Sequence, residues 1–169
     1  MVHPSKTLDA TIDRSDSGRR AQIQAALGGV VRWSRVAFFD RIAEAAGLSL
    51  DRSTITILNL LAVNGRLRYS ELSELLAVDR STASRQVAAA MAAGLVVQTT
   101  DPSDGRARIL TLTKKGEAAH KKASGAWYEI IESLVGDWDE KDQEMLAVLL
   151  TRLVERMKDS YYTKDYTKD

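Results

Sequence analysis

Residues 78–96 read VDRSTASRQVAAAMAAGLV, and the folding of this stretch decides how the rest of the chain is understood. Asp79 is placed to accept the backbone N–H of Thr82 and so cap a first helical turn, while Gly94 is placed to end the helix. At about 100° per residue, Ala83, Val87 and Ala90 fall on one side, which suits burial. Ser81 and Arg85 stack on the opposite side, flanked by Thr82, Ser84 and Ala88. Just upstream, SELSELLAV (70–78) carries Leu72, Leu75 and Leu76 and predicts a helix of about two turns. A short helix, a turn, and a second helix whose outward N-terminal half is Ser, Thr, Ser and Arg describe a helix-turn-helix.

The chemistry of that outward face fits DNA. A helix matches the width of the major groove, hydroxyls can serve base edges or phosphate oxygens, and arginine can grip guanine O6 and N7 with two parallel bonds. The first turn also points free N–H groups and a partial positive charge at phosphates. Ser81, Thr82, Ser84 and Arg85 are therefore the expected direct contacts. The competing account is a solvated helix face, and for each Ser or Thr taken singly it stands.

The stretch C-terminal to this helix strengthens the DNA reading. Leu95–Thr100 and Ala107–Thr111 are rich in β-branched residues, with DPSDG (101–105) supplying the reversal between them. A hairpin directly after a helix-turn-helix is a wing, and a wing can reach an adjacent minor groove whose electronegative floor attracts a guanidinium. Arg106 is the expected minor-groove residue, with Asp104 holding its side chain extended and Arg108 meeting a phosphate. Against this stands a plain surface hairpin with an Asp–Arg pair worth about 0–1 kcal/mol.

Working outward, Ile23, Leu27, Val30, Ser34, Phe38 and Ile42 recur three or four apart and predict one long helix from Arg19 to Gly47. Ser49 is the expected N-cap of the next helix, which carries Ile55, Leu58, Leu61 and Ala62 and stops at Gly65 in a left-handed conformation. Arg66–Tyr69 reads as extended. Beyond the wing, Thr113 starts a helix with a stripe of Ala119, Ala123, Trp127, Ile130 and Leu134, broken by Gly136. Asp139 caps the last helix, which lines up Leu146, Leu149, Leu150, Leu153 and Met157.

The expected fold is thus mainly α with a small β-hairpin wing: a winged helix-turn-helix with additional N- and C-terminal dimerisation helices. Its parts are a flexible arm (1–18), an N-terminal dimerisation helix (19–48), the winged DNA-binding region (49–112), C-terminal dimerisation helices (113–160) and a polar tail (161–169) that repeats YTKD. Three amphipathic helices offer more apolar surface than a small winged module can cover. They predict an obligate-type homodimer, an ordinary monomeric core being the competing account.

GLSLDRSTITILNLLA, SELSELLAVDRSTASRQVAAAMAAGLV and DPSDGRARILTLTKKGEAA, framed by a long first helix and two final ones, resemble the MarR family of bacterial transcriptional regulators. The resemblance spans roughly residues 25–157, most specifically in DRST-x-S-R and in DPxDxR leading into LTxKG. It implies a homodimer that binds a pseudo-palindromic double-stranded DNA operator, usually represses, and is often released by a small aromatic or anionic ligand. Carried over by position, Ser81, Thr82, Ser84 and Arg85 match recognition-helix contacts, and Asp104 and Arg106 match the wing's Asp-x-Arg. In the fold it implies, Trp33, Phe38, Phe39, Trp127 and Tyr128 lie nearest the junction where an effector would wedge, and Arg35 could pair with an anion. Core or interface packing is the competing role for those aromatics.

The chain also departs from the family pattern. Ala77 stands where glycine is frequent, so the turn either avoids a left-handed residue or bears strain. Ala88, Ala89 and Ala93 replace charged residues, and Ser103 and Gly105 stand where wing arginines are frequent. Each missing phosphate contact lowers the salt dependence of binding by roughly one unit of slope. Further contacts from Arg66, Arg68 or the N-terminal arm would offset the loss.

Composition closes off other classes. With 169 residues and 44% hydrophobic content the chain can bury a core, and a net charge of +1 means that any basic surface is local. The absence of cysteine removes disulfides, thiolate metal sites and thiol redox sensing, and two histidines do not build an imidazole site, which leaves only carboxylate ligation of a metal open. No cofactor is expected. No run approaches the ~18–20 apolar residues of a membrane span and MVHPSKTLDATIDRSD lacks a signal peptide's apolar middle, so a cytoplasmic protein is expected. No activated nucleophile, paired catalytic carboxylates or phosphate-cradling glycine loop argues for an enzyme. A winged helix used only for protein contacts, without specific DNA binding, is the remaining alternative.

Overall fold

The computed structural model describes residues 15–33 and 38–163, with Arg106, Lys158 and residues 160–163 described by backbone alone. Its elements in chain order are α1 (Asp16–Trp33), α2 (Phe39–Ala45), α3 (Arg52–Asn64), β1 (Leu67–Arg68), α4 (Tyr69–Leu76), α5 (Arg80–Ala92), β2 (Val96–Asp101), β3 (Asp104–Leu112), α6 (Lys114–Val135) and α7 (Glu140–Thr163). The long first helix expected from sequence is thus described on both sides of residues 34–37, and Ser34 and Arg35 lie outside the described residues. The helix starts earlier than expected. Asp16, Ser17 and Gly18, expected in the arm, belong to α1 because the Ser15 hydroxyl accepts the Gly18 N–H at 3.1 Å and Arg19 pairs with Asp16 one turn on. Likewise α7 runs through Thr163, into the stretch expected to be the tail.

The chain divides into two compact units that meet in sequence at Ala123 and Ser124, within α6. In the first unit, Ile57, Leu58 and Leu61 of α3, Leu72 of α4, Val87 and Ala90 of α5, Leu110 of β3 and Ala119 of α6 make one core. The three strands form an antiparallel sheet in the order β1-β3-β2. Leu67 pairs with Leu110 and Val96 with Leu112, so the sheet's inner residues complete that core.

Capping explains where the helices begin. Asp51, not Ser49, caps α3: its carboxylate accepts the Thr54 N–H at 2.7 Å, three residues on, which is the spacing an N-cap requires. The Gly65 N–H closes onto the Leu61 carbonyl with φ +73°, which ends α3 as expected. The Thr113 hydroxyl accepts the Gly116 N–H at 3.0 Å to open α6, and Asp139 accepts the Asp142 N–H at 2.8 Å to open α7.

In the second unit, Ala126 and Ile130 of α6 are buried. Trp127, Tyr128, Ile131 and Leu134 of α6 and Met145, Val148, Leu149, Leu150, Val154 and Met157 of α7 are exposed, Tyr128 at 69% and Val148 at 63%. In the first unit α1 buries none of its residues and exposes Ile23, Val30 and Val31. Large apolar side chains left in water at this density are unusual for a chain that works alone. Among the described residues no helix is long and apolar enough to cross a membrane.

Candidate nucleic-acid interface

The turn between α4 and α5 is tight because Ala77 adopts the left-handed conformation, φ 52° and ψ 43°, the one non-glycine residue with positive φ among those described. Of the two possibilities raised by the alanine, strain is the one realised. The Ala77 N–H reaches the Glu74 carbonyl and the Val78 N–H the Ser73 carbonyl, so the end of α4 is satisfied despite the missing glycine.

Asp79 then opens α5 in an extended conformation and accepts the Thr82 N–H at 2.9 Å. Its carboxylate does more than cap. Oδ1 also accepts the Ser81 hydroxyl at 2.5 Å, and Oδ2 accepts the Thr82 hydroxyl at 2.7 Å. The bonds from the Ser81 hydroxyl, then from the Thr82 hydroxyl and backbone, hold the Asp79 carboxyl well below the usual carboxylate range. The Thr82 oxygen accepts in turn from Arg85 Nη2 at 3.1 Å. Ala83, Val87 and Ala90 are buried on the opposite side, as the periodicity requires, while Ser81, Ser84 and Arg85 are exposed and Thr82 is half-buried. The structure therefore gathers Ser81, Thr82 and Arg85 into one hydrogen-bonded cluster at the start of α5, with Ser84 beside it. Asp79, read from sequence only as a cap, is the hub of that cluster.

The wing is tighter than the sequence suggested. Asp101 pairs with Asp104 across a turn of Pro102 and Ser103, so Asp104 and Gly105 belong to β3 and not to a five-residue reversal. The reason is Asp101. Its side chain is 7% exposed, and Oδ1 accepts both the backbone N–H (2.8 Å) and the hydroxyl (2.7 Å) of Ser103, which folds the turn onto the end of β2. Oδ2 accepts from Arg68 Nε at 3.0 Å and Nη2 at 2.5 Å. The Ser103 hydroxyl and backbone, then Arg68, hold the Asp101 carboxyl far below its ordinary range, while the same pairing raises the Arg68 guanidinium. Arg68, a candidate for a further DNA contact on sequence grounds, is thus the buckle between β1 and the wing. Sequence reading missed this pair because its members lie 33 residues apart.

Arg108 of β3 lies opposite Thr100 and donates to its hydroxyl. Arg106 lies in β3 between Asp104 and Arg108; its side chain is outside the described residues. Of the expected effector residues, Trp33 and Phe38 meet with ring centroids 4.6 Å apart, Phe38 and Phe39 at 5.7 Å, and Arg52 stands 4.8 Å over the Phe39 ring. Phe38 is buried and Trp33 partly exposed, all within the first unit. Trp127 and Tyr128 belong to the second unit and are exposed. Among the described residues no group of three or more His, Asp or Glu is arranged to hold a metal ion.

Comparison with known proteins gives four concordant matches. Residues 48–107 match the sequence model of the MarR family. An uncharacterised HTH-type transcriptional regulator, YxaD of Bacillus subtilis, is 35% identical over 119 residues, covering 70% of this chain and 82% of its own length. Among solved structures, a probable transcriptional regulator from Pseudomonas aeruginosa is 27% identical with a TM-score of 0.59, over 75% of this chain and 96% of that one. A MarR family protein from Bacillus stearothermophilus is 17% identical and shares the fold with a TM-score of 0.75, over 85% of this chain and 99% of that one.

Proposed function

The chain belongs to the MarR family and is a DNA-binding transcriptional regulator, and from that premise we propose that it acts as a cytoplasmic homodimer that binds a pseudo-palindromic operator and represses transcription. In this reading α5 of each protomer enters a major groove with Ser81, Thr82, Ser84 and Arg85 toward the bases. The wing lies alongside, with Arg106 in the minor groove, Asp104 beside it and Arg108 at a phosphate. The observation that supports this most is the division of α5 into a buried apolar side and a polar side that starts at an Asp79-ordered cluster.

The exposed apolar residues of α1, α6 and α7 support dimerisation, since an obligate interface resembles a domain core cut in half. Replacing Arg85 and Arg106 separately with Ala tests the DNA reading. With folding intact, each should lose about tenfold to a hundredfold in specific affinity if it makes a base contact. Unchanged affinity in both favours the protein-contact alternative.

Release by a small aromatic or anionic ligand completes the proposal. A ligand that prefers a dimer with misplaced recognition helices withdraws the protein from DNA by that differential affinity alone. On the family resemblance Trp33, Arg35, Phe38 and Phe39 are assigned to it, with Trp127 and Tyr128 of the second unit as separate candidates, and the partly exposed Trp33 ring against Phe38 is the feature in its favour. A ligand that raises the melting temperature yet leaves DNA affinity unchanged contradicts the linkage.

A further inference from the structure

We propose that Asp79 sets the hydrogen-bonding polarity of the recognition face, so that Ser81 meets DNA as an acceptor and reads an exocyclic amino group, cytosine N4 or adenine N6, in the major groove. This rests on α5 being the recognition helix.

A serine hydroxyl has one proton to give and two lone pairs to receive with. At Ser81 the proton is committed to Asp79 Oδ1 at 2.5 Å, and at Thr82 to Asp79 Oδ2 at 2.7 Å. Bonds to an ionised carboxylate are roughly twice as strong as neutral ones. A neutral base acceptor therefore does not win either proton back. Thr82 also receives Arg85 Nη2 at 3.1 Å and is half-buried. Ser81 is exposed and keeps its lone pairs, so it is the hydroxyl that presents them outward.

In the major groove the donors on base edges are the amino groups of cytosine and adenine, whereas guanine O6 and N7, thymine O4 and the phosphates accept. An acceptor-only Ser81 set against any of the latter places lone pair against lone pair. It thus discriminates bases and contributes nothing to phosphate anchoring. Ser84 differs: its hydroxyl has no hydrogen-bond partner among the described residues and can turn either way. Asp79 is accordingly a positioning residue, acting on DNA through Ser81.

The test compares base preferences, not overall affinity. Duplexes are selected from a random pool at one fixed salt concentration with the full-length protein, Asp79→Gly, Ser81→Ala and the double variant. Glycine is tolerated at an N-cap and leaves both hydroxyls free to donate. The unaltered protein should prefer C or A over G or T at one position of each half-site, by about threefold to tenfold, the worth of a single hydrogen bond. Ser81→Ala should flatten that position alone. Asp79→Gly should admit G and T at the same position, and the double variant should match Ser81→Ala. An Asp79→Gly protein that keeps the C/A preference overturns the proposal, as does a Ser81→Ala protein with an unchanged profile; if Asp79→Gly does not fold, Ser81→Ala still decides. An unaltered protein that selects no sequence at all overturns the DNA-binding role of α5 itself.

Discussion

Ala77 carries the cost of the helix-turn-helix in a single residue. Its left-handed backbone, φ 52°, brings the Cβ against the following carbonyl, worth about 1–2 kcal/mol for a residue other than glycine. Glycine relieves that clash but adds freedom to the unfolded chain, offsetting about 0.5–1 kcal/mol. Ala77→Gly should therefore stabilise the protein by about 0.5–1 kcal/mol, read as a raised urea midpoint with an unchanged slope. A lowered midpoint would show that the turn is held elsewhere. The sequence left this residue at two possibilities, because alanine reports propensity and only backbone geometry reports strain. The same limit applies at Ser81, Thr82 and Arg85. Helical periodicity placed them on one face, but which hydroxyl gives its proton to Asp79 depends on rotamers that no periodicity encodes.

At the scale of elements, the joints between helices and sheet carry the motifs that sequence reading could name but not explain. The glycine of LTxKG is one. A Cβ at Gly116 would stand 2.0 Å from the Leu95 carbonyl oxygen, so the first turn of α6 packs on the α5–β2 junction only without a side chain. Lys115 Nζ donates to the Ala93 carbonyl at 2.8 Å and the Thr113 hydroxyl to the Gly94 carbonyl at 2.7 Å, which ties the same joint. Gly116→Ala should destabilise the fold by about 1–3 kcal/mol through forced backbone displacement, measured by chemical denaturation. The wing hairpin was legible from its β-branched strands and turn residues. Its length was not, since the turn closes on Asp101, which is fixed by Arg68 far away in sequence. Asp101 also brings a pH dependence with a defined sign. Its folded carboxyl titrates below the unfolded value of about 3.9, so its contribution is complete above that value and is lost as the pH falls below it. Asp101→Asn should melt below the unaltered protein at pH 7, and the gap should narrow as the pH is taken from about 5 to 3. A gap of constant size across that range would mean that the carboxylate's charge plays no part.

For the molecule as a whole, the apolar stripes of α1, α6 and α7 were readable in the sequence; Ala119, Ala123 and Ile130 of the α6 stripe are buried, and the exposure of Ile23, Val30, Trp127, Leu134, Leu149 and Met157 is the finding that gives the remainder a use. A winged module with these side chains uncovered has a strong reason to pair, and in the proposed dimer pairing would set two copies of α5 at a fixed spacing. A dimeric helix-turn-helix reads half-sites about 34–36 Å apart, one turn of the duplex or a multiple of it. In the proposed dimer, base specificity at α5, wing contacts and effector release would all depend on that spacing. The most direct test is the mass in solution of the complex formed with the best duplex selected from a random pool at a stated salt concentration. Two chains should occupy one duplex, bound to an inverted repeat whose half-site centres lie about ten base pairs apart. A single chain on an unsymmetrical site, or no enrichment of any inverted sequence, would contradict paired recognition.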